Sequence, residues 1–106
     1  MPKPPILSGV DLDPERHEID LLLELVPTLH GARVLEVGCG DGRLTRLYAD
    51  RASRVLAIDP DREKIAAACS LLSGPDTSHV TLLATPVADL DLRAGPFDVV
   101  IMSWSL

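Results

Sequence analysis

Val34-Leu35-Glu36-Val37-Gly38-Cys39-Gly40-Asp41-Gly42-Arg43-Leu44-Thr45 sets the architecture of this chain. Val34 to Val37 read as a strand that carries one carboxylate, Glu36. Glycines at 38, 40 and 42 then form a turn, and Leu44, Leu47 and Tyr48 follow at helical spacing. Strand, glycine turn and helix start make the geometry of a nucleotide-type site in an open α/β sheet. Gly38 and Gly40 remove Cβ atoms where a ligand approaches the backbone, and they permit positive φ. Gly42 leads into a helix whose free N–H groups attract an anionic group. One glycine would be explained by a tight turn alone; three alternating ones behind Glu36 point to a ligand.

On the amino-terminal side, residues 1–13 carry Pro2, Pro4 and Pro5 without any period and read as a flexible or extended arm. Asp13-Pro14 gives a helix start, and Ile19, Leu22, Leu23 and Val26 form one apolar stripe. Pro27 is expected to end or kink that helix, with His30-Gly31 closing the segment. On the carboxyl-terminal side the first helix runs to about Arg51, and Val55 to Ile58 read as a second strand. Asp61 caps a further helix whose core stripe is Ile65, Ala68, Cys69 and Leu72. Val80 to Ala84 and Phe97 to Met102 supply two more strands. Pro86, Gly95 and Pro96 limit the connection between them to a loop with at most one helical turn. This alternation implies right-handed crossovers and a parallel sheet.

The chain has 106 residues, at most one small domain, with no apolar run long enough to span a membrane and no secretion leader at its start. Two cysteines without CxxC spacing make a zinc site or disulfide framework a poor fit, and a cytoplasmic setting the better one. Sixteen acidic against ten basic residues give a net charge of −6, which disfavours nucleic acid and favours a small molecule.

Asp59 ends the second strand, where an acid hydrogen-bonds a ribose diol; read alone, it is equally a helix cap. A dinucleotide fingerprint needs G-x-G-x-x-G, whereas this turn is G-x-G-x-G with Arg43 at the third glycine's place. Glu36 and Asp41 flank the turn, which suits an ammonium or sulfonium group better than a pyrophosphate.

The segments E-V-G-C-G-D-G, V-L-A-I-D-P and F-D-V-V-I-M-S-W-S-L together resemble the class I S-adenosylmethionine-dependent methyltransferases, from about Pro14 onward. The resemblance implies the amino-terminal half of a Rossmann-like methyltransferase fold. That is an open parallel sheet of about four strands, in order 3-2-1-4, with helices on both faces. Residues 14–106 would then be a partial cofactor-binding domain. The implied cofactor is S-adenosylmethionine, and the implied activity is methyl transfer to a small-molecule acceptor. By the same resemblance Glu36 lies beneath the methionine ammonium, Gly38 and Gly40 pass the methionine moiety and sulfonium, Asp59 holds the ribose hydroxyls, and Pro60 lies near the adenine. Cys39 belongs to the same lining as a small filler, since no base adjoins it to make a nucleophile. The family's Gly-Asp pair after the third strand is replaced here by Thr85-Pro86, which leaves the Val87 backbone and Asp89 as adenine contacts. Ser103 and Trp104, on the ligand edge of the sheet, are the expected substrate contacts. No residue stands out as a catalytic base, and no metal site is expected. With only four strands, Val99 to Trp104 would form an apolar exposed edge prone to self-association. A nicotinamide-dependent oxidoreductase and a non-catalytic nucleoside-binding module are the competing readings.

Overall fold

The computed structural model describes residues 6–8, 27–91 and 95–102. Five parallel strands form one sheet: β1 (Ile6–Ser8), β2 (Arg33–Val37), β3 (Arg54–Asp59), β4 (Val80–Ala84) and β5 (Val99–Met102), in spatial order β1-β5-β2-β3-β4. Two helices connect them, α1 (Arg43–Tyr48) between β2 and β3 and α2 (Arg62–Leu71) between β3 and β4. Without β1, the order is the one expected from the alternation of strand and helix.

β2 is the centre of the sheet because it is apolar on both faces, and its register fixes the rest. Val34 pairs Val55 on one side and Val99 on the other. One face buries Val34, Val55, Ala57, Val99 and Ile101 against Leu44 and Tyr48 of α1 and Ile65 of α2. The other face holds Leu35, Val37 and Ile58, packed by Leu90 and Phe97 from the β4–β5 connection. Helices α1 and α2 therefore stand on one face, and a loop with one 3-10 turn (Val87–Asp89) crosses the other. A cleft of about 220 Å³, lined by Arg33, Arg54, Leu56, Leu83 and Phe97, opens at the amino-terminal ends of the strands, away from the glycine turn.

Residues 27–29 are helical, and the chain turns at His30-Gly31, the expected close of that segment. Within the arm read as flexible or extended, Ile6–Ser8 is extended and pairs in parallel with Val100–Met102. Two expectations change. β5 is consequently an inner strand rather than an exposed edge, since β1 satisfies its outward backbone groups, and self-association through it loses its basis. Cys69 is exposed, not on the core stripe. Ala68 and Leu72 both face Gly42 of the turn, so Ile65, Ala68 and Leu72 are buried and Cys69 turns outward.

Candidate functional site

The turn between β2 and α1 is built by backbone geometry. Gly38, Gly40 and Gly42 take φ of 79°, 57° and 87°, the left-handed region that glycine enters without steric cost. Gly38 and Cys39 donate their N–H groups to Ile58 O at 2.8 and 3.1 Å, so the turn leans onto the end of β3. Gly42 also needs its missing side chain. A Cβ there would lie 3.2 Å from the Ala68 Cβ and 3.2 Å from Leu72 Cδ1, so α2 packs directly on the turn.

Asp59 locks this arrangement. Its Oδ2 accepts from Gly40 N at 3.0 Å and its Oδ1 from Asp61 N at 2.9 Å. Thus one almost fully buried carboxylate ties the glycine turn to the start of α2. Asp61 then accepts from Glu63 N and Lys64 N as the helix cap. The cap of α2 is thus Asp61, as expected, and not Asp59. A carboxylate has about four acceptor directions, so two engaged amides leave capacity for the two donors of a diol.

Glu36 lies beneath the turn with no exposed surface. Its Oε1 accepts from the Thr45 hydroxyl at 2.7 Å and from the Tyr48 hydroxyl at 2.6 Å. Thr45 and Tyr48 are themselves fully buried. Burial first, and then the neighbouring Glu36 charge, push the Tyr48 phenol well above its ordinary value, so Tyr48 remains the donor of this pair. Neither hydroxyl was singled out by sequence reasoning, which placed Tyr48 on an apolar stripe. The available signal was a carboxylate inside a buried strand, which requires donors, followed by two hydroxyls three residues apart on the next helix.

Cys39 is buried in the turn, with its thiol 3.7 Å from Gly40 O. Burial, then the charges of Glu36, Asp59 and Asp41, push this thiol up to about 12. It is protonated and inert as a nucleophile, as expected of a filler. The three acids around it, Glu36, Asp59 and Asp41, favour a cationic group over a pyrophosphate.

The structure thus gathers Glu36, Gly38, Cys39, Gly40 and Asp59 at the carboxyl-terminal edge of β2 and β3. Pro60 follows on the exposed side. Thr85 N donates to Asp59 O at 3.0 Å, which brings the exit of β4 to the same edge. Val87 and Asp89 lie just beyond, exposed in the 3-10 turn. Ser103 and Trp104 lie outside the described residues. Among the described residues there is no cluster of three or more His, Cys, Asp or Glu fit to hold a metal. No described helix is long and apolar enough to cross a membrane.

A parallel sheet with a glycine turn and an acid at the end of the neighbouring strand defines a Rossmann-like ligand-binding protein. The chain belongs to the methyltransferase-domain family, which its residues 34–106 match. It is 45% identical over 92 residues to a ubiquinone biosynthesis O-methyltransferase of Xylella fastidiosa, covering 84% of this chain and 35% of that protein. It is 32% identical over 93 residues to a malonyl-[acyl-carrier protein] O-methyltransferase of Salmonella typhimurium, covering 86% and 33%. A ribosomal RNA small subunit methyltransferase A of Geobacter sulfurreducens is 30% identical over 79 residues, covering 74% and 28%. Among solved structures, the N-methyltransferase NodS of Bradyrhizobium japonicum in complex with S-adenosyl-L-homocysteine superposes with a TM-score of 0.67 at 29% identity, covering 86% of this chain and 46% of that one. The chain spans about a third of the length of the curated relatives it matches.

Proposed function

We propose that the glycine turn binds S-adenosylmethionine and that the chain is the cofactor-binding part of an enzyme methylating a small-molecule acceptor. One observation carries the reading: three left-handed glycines sit between a buried acid, Glu36, and a strand-end acid, Asp59, whose carboxylate reaches the Gly40 amide. When bound, S-adenosylmethionine supplies a methyl group already activated on a sulfonium. This chain's residues bind and orient. Glu36 offers a fixed negative charge below the ammonium, Asp59 accepts from the ribose hydroxyls, and Gly38 and Gly40 keep the turn free of side chains. Pro60, Val87 and Asp89 are the adenine-side candidates, and Ser103 and Trp104 the acceptor-side ones.

The net charge of −6 supports a small acceptor over a phosphate backbone. The named relatives act on acceptors of several kinds, so the acceptor atom is left open. Both described cysteines are free thiols, which suits a cytoplasmic setting. Calorimetric titration with S-adenosylhomocysteine and with NAD tests the cofactor. S-adenosylhomocysteine should bind and NAD should not, and Asp59→Asn should weaken binding by about tenfold, the scale of hydrogen bonds to a charged group. Preferential NAD binding, or an affinity indifferent to Asp59→Asn, refutes the assignment.

A further inference from the structure

Glu36, Thr45 and Tyr48 form a fully buried polar trio beside an apolar cluster that includes Val34, Leu44, Val55, Ile65, Val99 and Ile101. Burying a carboxylate among such neighbours is unfavourable unless donors compensate it. Apolar residues of similar volume often serve the core as well or better. The trio therefore needs a reason beyond packing. Its position supplies one, because Glu36 is two residues from Gly38 and its charge is felt by the Cys39 thiol inside the turn.

The two donors have distinct origins in the sequence. Thr45 and Tyr48 are three residues apart, so both point from one face of α1 toward β2. Both O–H groups end on the same oxygen, Oε1, at 2.7 and 2.6 Å. Two donors converging on one oxygen fix the plane of the carboxylate and stabilise its charge. Loss of either donor leaves Oε1 with one hydroxyl and loosens the hold on the carboxylate's last torsion, which is intrinsically broad.

We propose that Thr45 and Tyr48 are positioning residues, which hold the Glu36 carboxylate through Oε1 as the oriented negative charge that recognises the ammonium end of the ligand. The inference rests on the S-adenosylmethionine reading above and adds the residues that set its selectivity for the amino-acid end. The nucleoside end, at Asp59, is independent of the trio.

The test compares two ligands that share a nucleoside. S-adenosylhomocysteine carries the ammonium, and 5′-methylthioadenosine lacks it. Titration of the chain bearing Tyr48→Phe or Thr45→Val should weaken S-adenosylhomocysteine about tenfold, with less than about a twofold change for 5′-methylthioadenosine. Thr45→Ser, which keeps the hydroxyl, should restore the ratio of the two affinities. Equal loss for both ligands, or an unchanged ratio in both hydroxyl variants, overturns the proposal in favour of a packing role. The Thr45→Ser and Thr45→Val pair decides the matter if Tyr48→Phe does not fold. Glu36→Gln separates the two layers of the argument. If it collapses the ratio while the hydroxyl variants do not, the positioning role falls and the ammonium reading stands. If Glu36→Gln leaves the ratio intact, the ammonium reading itself falls and takes the positioning role with it.

Discussion

Cys39 shows how a single side chain records the character of the turn around it. With its thiol pushed up to about 12, roughly one molecule in ten thousand carries the thiolate at pH 8, against about a quarter for an ordinary cysteine. Iodoacetamide at pH 8 should therefore label exposed Cys69 first and Cys39 roughly a thousandfold more slowly than an ordinary thiol, until denaturant is added. Peptide mapping after timed labelling reads this directly, and comparable rates at the two sites would contradict the buried, acid-ringed turn. At this scale the acids Glu36 and Asp59 were legible from their strand-end spacing around three glycines. What Glu36 touches was not, because Thr45 and Tyr48 meet it only once α1 is laid on β2. Periodicity ranks Tyr48 by its ring and is silent on where its hydroxyl goes. Cys69 failed for a related reason: a four-residue stripe on a helix does not say how narrow the contact line is until Ala68 meets Gly42.

Helix α2 and the glycine turn are one mechanical unit, joined where Gly42 faces Ala68 and Leu72. Gly42→Ala introduces a side chain at φ 87° and at 3.2 Å from two core atoms. The expected loss is about 2 kcal/mol, or a fall of roughly 10 °C in Tm, readable by calorimetric melting. An unchanged Tm would mean that α2 is not seated on the turn. Helix and strand identity were legible here, with Asp61 the cap and Val80–Ala84 the following strand. The faces were less so. The alternation of strand and helix gives a parallel sheet but does not assign a helix to each side, and among the described residues α1 and α2 share one. The β4–β5 connection, read as a loop from its prolines, lends Leu90 and Phe97 to the other face.

At the scale of the whole molecule, the tie between Arg33 and Asp98 is both exposed and titratable. Arg33, at the start of β2, donates through Nη2 to Asp98 Oδ1 at 3.0 Å and through its backbone N–H to Asp98 Oδ2 at 2.8 Å, joining β2 to the lead-in of β5. Hydrogen bonds from Arg33 hold the Asp98 carboxyl down at about 2. A carboxyl depressed by folding stabilises the fold fully above the unfolded value near 4, and that contribution is lost as pH falls from about 4 through 2. Asp98→Asn removes a contribution that is present at neutral pH, so its Tm should lie below the parent's above about pH 4 and converge with it near pH 2, which flattens this acid limb in melts between pH 2 and 5. Because the pair is half-exposed, added salt should shrink the difference. An acid limb of the same steepness in the variant would assign it to other carboxyls. The strand order was legible at this scale as far as the repeating motif reached, through β4, β3, β2 and β5. β1 was not, because three residues in a proline-rich arm carry no period, and their partner lies at the far end of the chain.

That distant partnership also sets an order of events. Ile6 pairs with Val100 and Ser8 with Met102, so the first strand to be synthesised is the one that must wait longest. Ile6–Ser8 has no partner in the sheet until Val100–Met102 have been made. Closing so long a loop is a late step by its entropy. Without β1, β5 has one unpaired side, the open edge that any extended segment can pair with.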